Sequence, residues 1–256
     1  MKIQFYDRAR SSGNVQRRLA GARTSRGRNR TRVLALTVML WLAGHGASLV
    51  ADSAVPRDND YDYDPPVPGS YALPVIKMAP DGAIIDSAGE ALNLRELTHE
   101  RITVLSFIYT RCAAPKACPY ATGVFYDLHA LSAGNDGLAK NMRLVSLSFD
   151  PDHDTPQHLA EYSEAMREQK AGCEWRFATT KSRAELDPIL NGYGQAADKR
   201  SNPNDPQGPL YHILRIFLID REGRIRNIYS SATLDPRLVL TDVKTLLLEE
   251  TKLSKQ

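Results

Sequence analysis

Two stretches of the chain are apolar at nearly every position: Ile102-Thr-Val-Leu-Ser-Phe-Ile-Tyr109 and Met142-Arg-Leu-Val-Ser-Leu-Ser-Phe149. Neither alternates as a half-exposed strand does, so both predict strands buried on two faces. Behind the first, Val124, Phe125, Leu128 and Leu131 recur at helical spacing after Pro119, a residue favoured in a first helical turn. Behind the second, Asp150-Pro-Asp-His-Asp154 reads as a loop. Thr155 then caps a helix with Pro156 at its first position and Leu159, Tyr162 and Met166 on its apolar face. Trp175–Thr179 predicts a short strand. Ser182-Arg-Ala-Glu185 has the form of a capping box, and Pro188 leaves open one kinked helix or a restart at Asp187. Gln195–Pro209 is a polar, Pro/Gly-containing excursion. His212–Asp220 and Arg224–Tyr229 predict a hairpin turning at Arg221-Glu-Gly223. A last helix starts at Asp235-Pro236 with Val239, Val243, Leu246 and Leu247 inward. Ile84-Ile85 and Leu92–Leu94 suggest short extended pieces near turns at Asp81-Gly82 and Gly89.

This order of strand–helix–strand–helix, then hairpin and helix, predicts an α/β fold: a thioredoxin-like central sheet flanked by helices, with a C-terminal β-hairpin and helix. The first two long strands should pair in parallel through a right-handed crossover, with active residues at their carboxyl ends.

Charge divides the chain. Residues 1–32 hold nine Arg, one Lys and one Asp, a net of +9; the remainder holds 23 basic and 29 acidic residues, a net of −6. A mildly acidic body argues against nucleic-acid binding. The basic lead can be read as an RNA-binding arm. Its place before Val33-Leu-Ala-Leu-Thr-Val-Met-Leu-Trp-Leu-Ala43 favours targeting. That core suits a signal peptide, and Val33–Ala51 as a whole is long enough for an anchor. Arg-rich flanks stay cytoplasmic, so the body is expected to be exported: periplasmic, or anchored to the inner membrane and facing the periplasm. The expected divisions are 1–51, basic lead plus signal peptide or membrane anchor; 52–71, acidic Pro-rich linker; 72–252, folded domain; and 253–256, tail. The Asp58–Asp64 alternation with Tyr61 and Tyr63 reads as a solvated tether rather than a cation site.

Chemistry concentrates at Cys112 and Cys118, which straddle the strand-to-helix junction. Cys118, next to Pro119, falls at or near the helix N-cap, where the positive helix end favours a thiolate. Such a pair suits Cu(I), zinc or disulfide exchange. Cys173, before Trp175, reads as a partly buried neutral side chain. In a thioredoxin-like fold the segment entering the His212 strand passes over the thiol loop, so His212 can complete a two-sulfur, one-nitrogen set. Asp150, Asp152, His153 and Asp154 read as a strand-end turn with a helix cap in preference to a hard-metal or acid–base site. His158 reads as solvated, and His99 and His129 lack ligand spacing to either cysteine.

At these residues the chain resembles the SCO/SenC copper proteins. The likeness rests on Phe107-Ile-Tyr-Thr-Arg-Cys112 with Cys118-Pro119, on Ser148-Phe-Asp-Pro-Asp-His-Asp-Thr-Pro156, and on His212 eight residues before Asp220 and Glu222-Gly223. It covers roughly residues 80–250. It implies a thioredoxin-like domain that binds copper through Cys112, Cys118 and His212, as Cu(I) with Cu(II) as a second state. It further implies delivery of copper to a client copper protein, a cytochrome oxidase subunit bearing the dinuclear centre, with membrane attachment only through the N-terminal segment. The family's loop has three residues between the cysteines. Here there are five, Ala113-Ala-Pro-Lys-Ala117, and Lys116 stands in a loop that lacks the family's common Asp. The competing expectation is an exported thiol–disulfide oxidoreductase cycling Cys112 and Cys118, for which His212 is unnecessary. A peroxidase, with Arg111 activating a single thiolate, is a thinner reading.

Overall fold

The computed structural model describes residues 63–167 and 171–253. The basic lead, the apolar segment Val33–Ala51, most of the tether and the last three residues lie outside the described residues. Among the described residues no helix is long and apolar enough to cross a membrane.

In chain order the elements are β1 Lys77–Met78, β2 Ala83–Asp86, β3 Ala91–Asn93, α1 Leu94–Thr98, β4 Ile102–Ile108, α2 Cys118–Ala133 and α3 Asp136–Asn141. These are followed by β5 Met142–Ser148, α4 Pro156–Tyr162, α5 Glu164–Arg167, β6 Glu174–Thr179, α6 Arg183–Tyr193, β7 Ala197–Lys199 and β8 Leu210–His212. The chain closes with β9 Arg215–Ile219, β10 Arg224–Ser230 and α7 Pro236–Leu253. Eight strands form one sheet in the order β1-β10-β9-β4-β5-β6-β2-β3. The central pair β4 and β5 is parallel, Ile102 opposite Met142 through Ile108 opposite Ser148. All seven residues of each are buried, as the unbroken apolar runs require. β6 continues the sheet in parallel, while β9 runs antiparallel to β4. The fold is thioredoxin-like, with helices packed around this sheet and the last helix beside α2.

Local sequence explains most boundaries. Thr155 accepts the backbone N–H of His158 and opens α4 ahead of Pro156. Ser182 accepts from Glu185 N and opens α6. Pro188 neither ends α6 nor restarts it: the helix runs through to Tyr193 and stops at Gly194 in the left-handed region, φ +62°. Leu186, Ile189 and Leu190 are buried around the proline, and their packing outweighs the one backbone hydrogen bond it removes.

The predicted strand His212–Asp220 requires correction. His212 closes the separate strand β8, which pairs only with β7 in a two-stranded ribbon, and the sheet strand β9 begins at Arg215. Leu214 turns inward between the two while Ile213 stays exposed, so the chain changes partner there. The helix behind Thr155 also divides, because Ser163 ends α4 before α5.

The last residues of the expected tether lie against α7. Gly69 N donates to Thr245 Oγ1 at 3.0 Å, Tyr71 hydrogen-bonds Asp242, and the Arg237 guanidinium meets both the Tyr63 carbonyl, at 3.2 Å, and its ring.

Candidate metal centre

β4 delivers Cys112. At its carboxyl end the chain turns through Thr110 and Arg111, and Cys112 N donates to Tyr109 O at 3.1 Å. Ala117 N then closes on Ala114 O at 3.0 Å and starts α2, placing Cys118 as the first helical residue, buried, with Pro119 behind it. His212 arrives from the other side on β8. Its Nε2 stands 3.5 Å from Cys112 Sγ and 3.6 Å from Cys118 Sγ. All three candidate ligand atoms lie within 4.8 Å of one another, and both cysteines are free thiols. For bonds of about 2.3 Å to sulfur and 2.0 Å to nitrogen, a trigonal ion needs S···N separations of about 3.7 Å. The apposed atoms match that spacing.

The His212 ring is held by packing. Phe149 lies 4.9 Å from it and Tyr109 meets it edge-on at 5.5 Å, centroid to centroid. Its Nδ1 is buried and has no hydrogen-bond partner among the described residues. Because Nδ1 has no acceptor for a proton, the metal-free ring is best satisfied with its proton on Nε2, donated to the sulfurs.

The two sulfurs titrate as a pair. The Cys118 S–H holds the Cys112 thiol well below the ordinary range. Burial opposes this, and the His212 ring and the backbone N–H groups of Cys118 and Ala114 add to the lowering. Cys118 moves the other way, raised by burial first and then by the neighbouring Cys112 thiolate. The helix end therefore serves Cys112 rather than Cys118, reversing the expectation from position alone: a fully enclosed sulfur loses more to desolvation than the helix terminus returns. Burial likewise pushes up Tyr109, with the two cysteine sulfurs adding to it.

Two clamps hold the loop, and neither was evident from residue spacing. The first comes from the turn after β5. Asp154, fully buried, accepts Thr110 N at 3.0 Å, Thr110 Oγ1 at 2.5 Å and Ser148 Oγ at 2.6 Å, while Asp150 pairs with Arg111 at 2.6 Å. The acidic turn thus fixes the approach to Cys112, and Asp150 is spent on Arg111 instead of facing outward. The second clamp is the excursion before β8. Tyr109 Oη donates to Gln207 O at 3.2 Å and Leu210 O at 3.3 Å, and Ala113 N donates to Gln207 O at 3.3 Å. Gly208 sits at φ +103°, where a Cβ would stand 2.3 Å from Tyr109 Oη and 2.9 Å from Arg111 O. The passage of this segment over the thiol loop is what the thioredoxin-like order predicts, and Gly208 is what allows so close an approach.

The remaining candidates lie elsewhere. Cys173 is buried, and burial pushes its thiol up to about 11. His129 packs beside Trp175, and His99 Nδ1 lies 3.0 Å from Arg95 O. Lys116 and Asp152 are exposed. His153 and His158 contact each other outside the thiol site.

Comparison with known proteins agrees with the fold. The family model SCO1/SenC matches residues 78–248. A SCO1 protein homolog of Bacillus subtilis is 26% identical over 159 residues, 61% of this chain and 76% of its own length. Among solved structures, Bradyrhizobium japonicum ScoI with copper bound aligns with a TM-score of 0.53 at 21% identity, covering 66% of this chain and 99% of that one. BsSco, described as a member of the Sco family of cytochrome c oxidase assembly proteins in a study of its disulfide switch, aligns with a TM-score of 0.54 at 21% identity. It covers 69% of this chain and 98% of that one.

Proposed function

We propose that this chain, which belongs to the SCO1/SenC family, is an exported copper carrier. It holds one copper ion between Cys112 Sγ, Cys118 Sγ and His212 Nε2 and passes it to a client copper protein. The client that fits the family is the subunit carrying the dinuclear centre of a cytochrome c oxidase. The observation that carries this reading is the imidazole nitrogen within 3.6 Å of both sulfurs, since a protein built only for thiol exchange has no use for it. The copper-bound ScoI relative and the oxidase-assembly description of BsSco support the cargo and the client class. Thiolates supply affinity for soft Cu(I), and imidazole adds a donor that Cu(II) accepts. Transfer proceeds by ligand exchange, His212 leaving before the sulfurs. The apolar segment within residues 1–51 directs the domain to the periplasmic side, cleaved as a signal or retained as an anchor.

A test is metal analysis of anaerobically purified protein before and after thiol alkylation. One copper per chain, lost on alkylation, is the expected outcome. His212→Ala should keep Cu(I) and lose the Cu(II) form, and equal Cu(II) binding by that variant removes His212 from the site.

A second reading has its own support. The depressed Cys112 and elevated Cys118 are the pattern of an attacking and a resolving thiol. Cys112 thiolate would attack a client disulfide and release one client thiolate. Cys118, losing its proton, would then displace the second, so that two electrons pass and Cys112–Cys118 becomes oxidised. Full client reduction by His212→Ala, together with no copper uptake by the wild type, selects this reading.

A further inference from the structure

The rings of His153 and His158 belong to neither the thiol set nor its clamps. His153 sits in the turn after β5, and His158 is the third residue of α4. Their centroids are 4.6 Å apart with planes at 75°. Both residues are half-buried and within reach of solvent. His153 Nδ1 lies 3.0 Å from Asp154 Oδ1. That carboxylate is fully buried and already fixed by Thr110 and Ser148, so it cannot follow the ring outward. With Nδ1–H donated to the carboxylate, Nε2 of His153 keeps its lone pair, the arrangement by which a carboxylate orients a metal-binding imidazole. Among the described residues the His158 ring has no hydrogen-bond partner of its own. One ligand atom from each of His153, Asp154 and His158 falls within a common 4.8 Å.

We propose that His153 and His158 form a second, shallow site for a borderline divalent cation, Cu(II) above all, with Asp154 as its positioning residue and water completing the coordination. Imidazole suits copper, zinc and nickel, and among divalent ions of the first row a nitrogen site prefers Cu(II). With no thiolate in the set, it takes the oxidised ion and has little hold on Cu(I). The site borders the thiol loop: His153 Nδ1 is 3.5 Å from Thr110 Oγ1, two residues ahead of Cys112. It needs neither cysteine and so stands independently of the carrier reading.

The experiment uses the full chain with Cys112 carbamidomethylated, which takes one sulfur from the first site and blocks it, and titrates it with Cu(II) alone. Electron paramagnetic resonance should show one saturable ion with nitrogen splitting. His153→Asn or His158→Asn should weaken it at least tenfold, while Tm stays unchanged because both rings are partly exposed. In the same alkylated wild-type protein, substoichiometric Cu(II) should broaden the ring proton signals of His153 and His158 before those of His99 and His129, a readout that needs no variant to fold. Absence of saturable binding by the alkylated wild type overturns the proposal, as does unchanged affinity in the double variant or first broadening at His99 or His129. The two rings would then be packed against each other and nothing more.

Discussion

The two ends of the central sheet handle polar groups in opposite ways. Where β4, β5 and β6 begin, the guanidinium groups are matched. Arg143 Nε meets Glu174 Oε2 at 2.8 Å, and its second nitrogen reaches Leu97 O at 2.9 Å. Arg101 meets the same carboxylate at 3.0 Å. Arg221 ties Glu250, Glu100 O and Asn141 together. Where the same strands end, a thiolate, an enclosed thiol and an imidazole with an unsatisfied nitrogen face one another without a stoichiometric set of partners. Unmatched buried groups cost stability, and both ends carry some, Glu249 Oε1 and Glu250 Oε1 among them; the thiol end differs in that its unmatched groups are soft donors converging on one point. The matched end is where the domain is held together.

The contrast can be broken most forcefully at the matched end. Glu174→Ala leaves Arg143 buried without its carboxylate and should destabilise the domain by about 3 kcal/mol, roughly 10 °C in Tm. Copper stoichiometry measured on the folded fraction should not change. Acid probes the same end. Burial raises the Glu174 carboxyl, but Arg143, Arg176 and Arg101 overcome it and hold it below its ordinary 4.5. A carboxyl depressed in the folded state contributes stability that is complete above its unfolded value. That contribution should fade as pH falls below 4.5, seen as a falling denaturant midpoint, and Glu174→Ala should remove this part of the acid dependence.

A smaller effect on stability, with a larger one on the site, is expected from Gly208→Ala. The new methyl meets Tyr109 Oη and Arg111 O at a backbone angle alanine avoids. We expect about 1–3 kcal/mol of strain, relieved by displacement of the ribbon that bears His212, and Cu(II) affinity down at least tenfold with Cu(I) retained. Unchanged Cu(II) affinity would mean that the excursion does not set the position of the ring. The mildest probe leaves the fold alone. Because the Cys112 thiol is lowered and Cys118 raised, iodoacetamide should label Cys112 at a rate already on its plateau at pH 7, with Cys118 unlabelled. A rate climbing up to pH 9 at Cys112 would reverse that assignment.

Much of this architecture could be read from the chain, and the failures share a cause. β4 and β5 were legible because burial on two faces demands apolar residues at every position. Cys112 and Cys118 were legible because a strand-to-helix junction makes a thiol pair conspicuous. His212 was tied to them by motif, but its strand was misread, since the partner that pulls it from the sheet is Ala197-Asp198-Lys199, three residues with no strand signature. β-propensity describes a surface to be covered and carries no record of the partner strand. Pro188 likewise obeys packing that becomes visible only when Leu186, Ile189 and Leu190 find their neighbours. The Cys118 assignment failed because helix position can be read along the chain and enclosure cannot.

The ribbon of β7 and β8 is joined by three residue pairs and has no further strand beside it, whereas β4 is held on both sides, by seven pairs to β5 and four to β9, and a lone pair of strands is only marginally stable in water. Displacing Cys112 means opening the turn that Asp154 and Asp150 hold, and displacing Cys118 means unwinding the first turn of a sixteen-residue helix. Lifting His212 away asks only that a short flap peel back. On the proposed carrier reading, the topology would set the order in which the three donors leave, and an acceptor approaching this face would find nitrogen the easiest to displace.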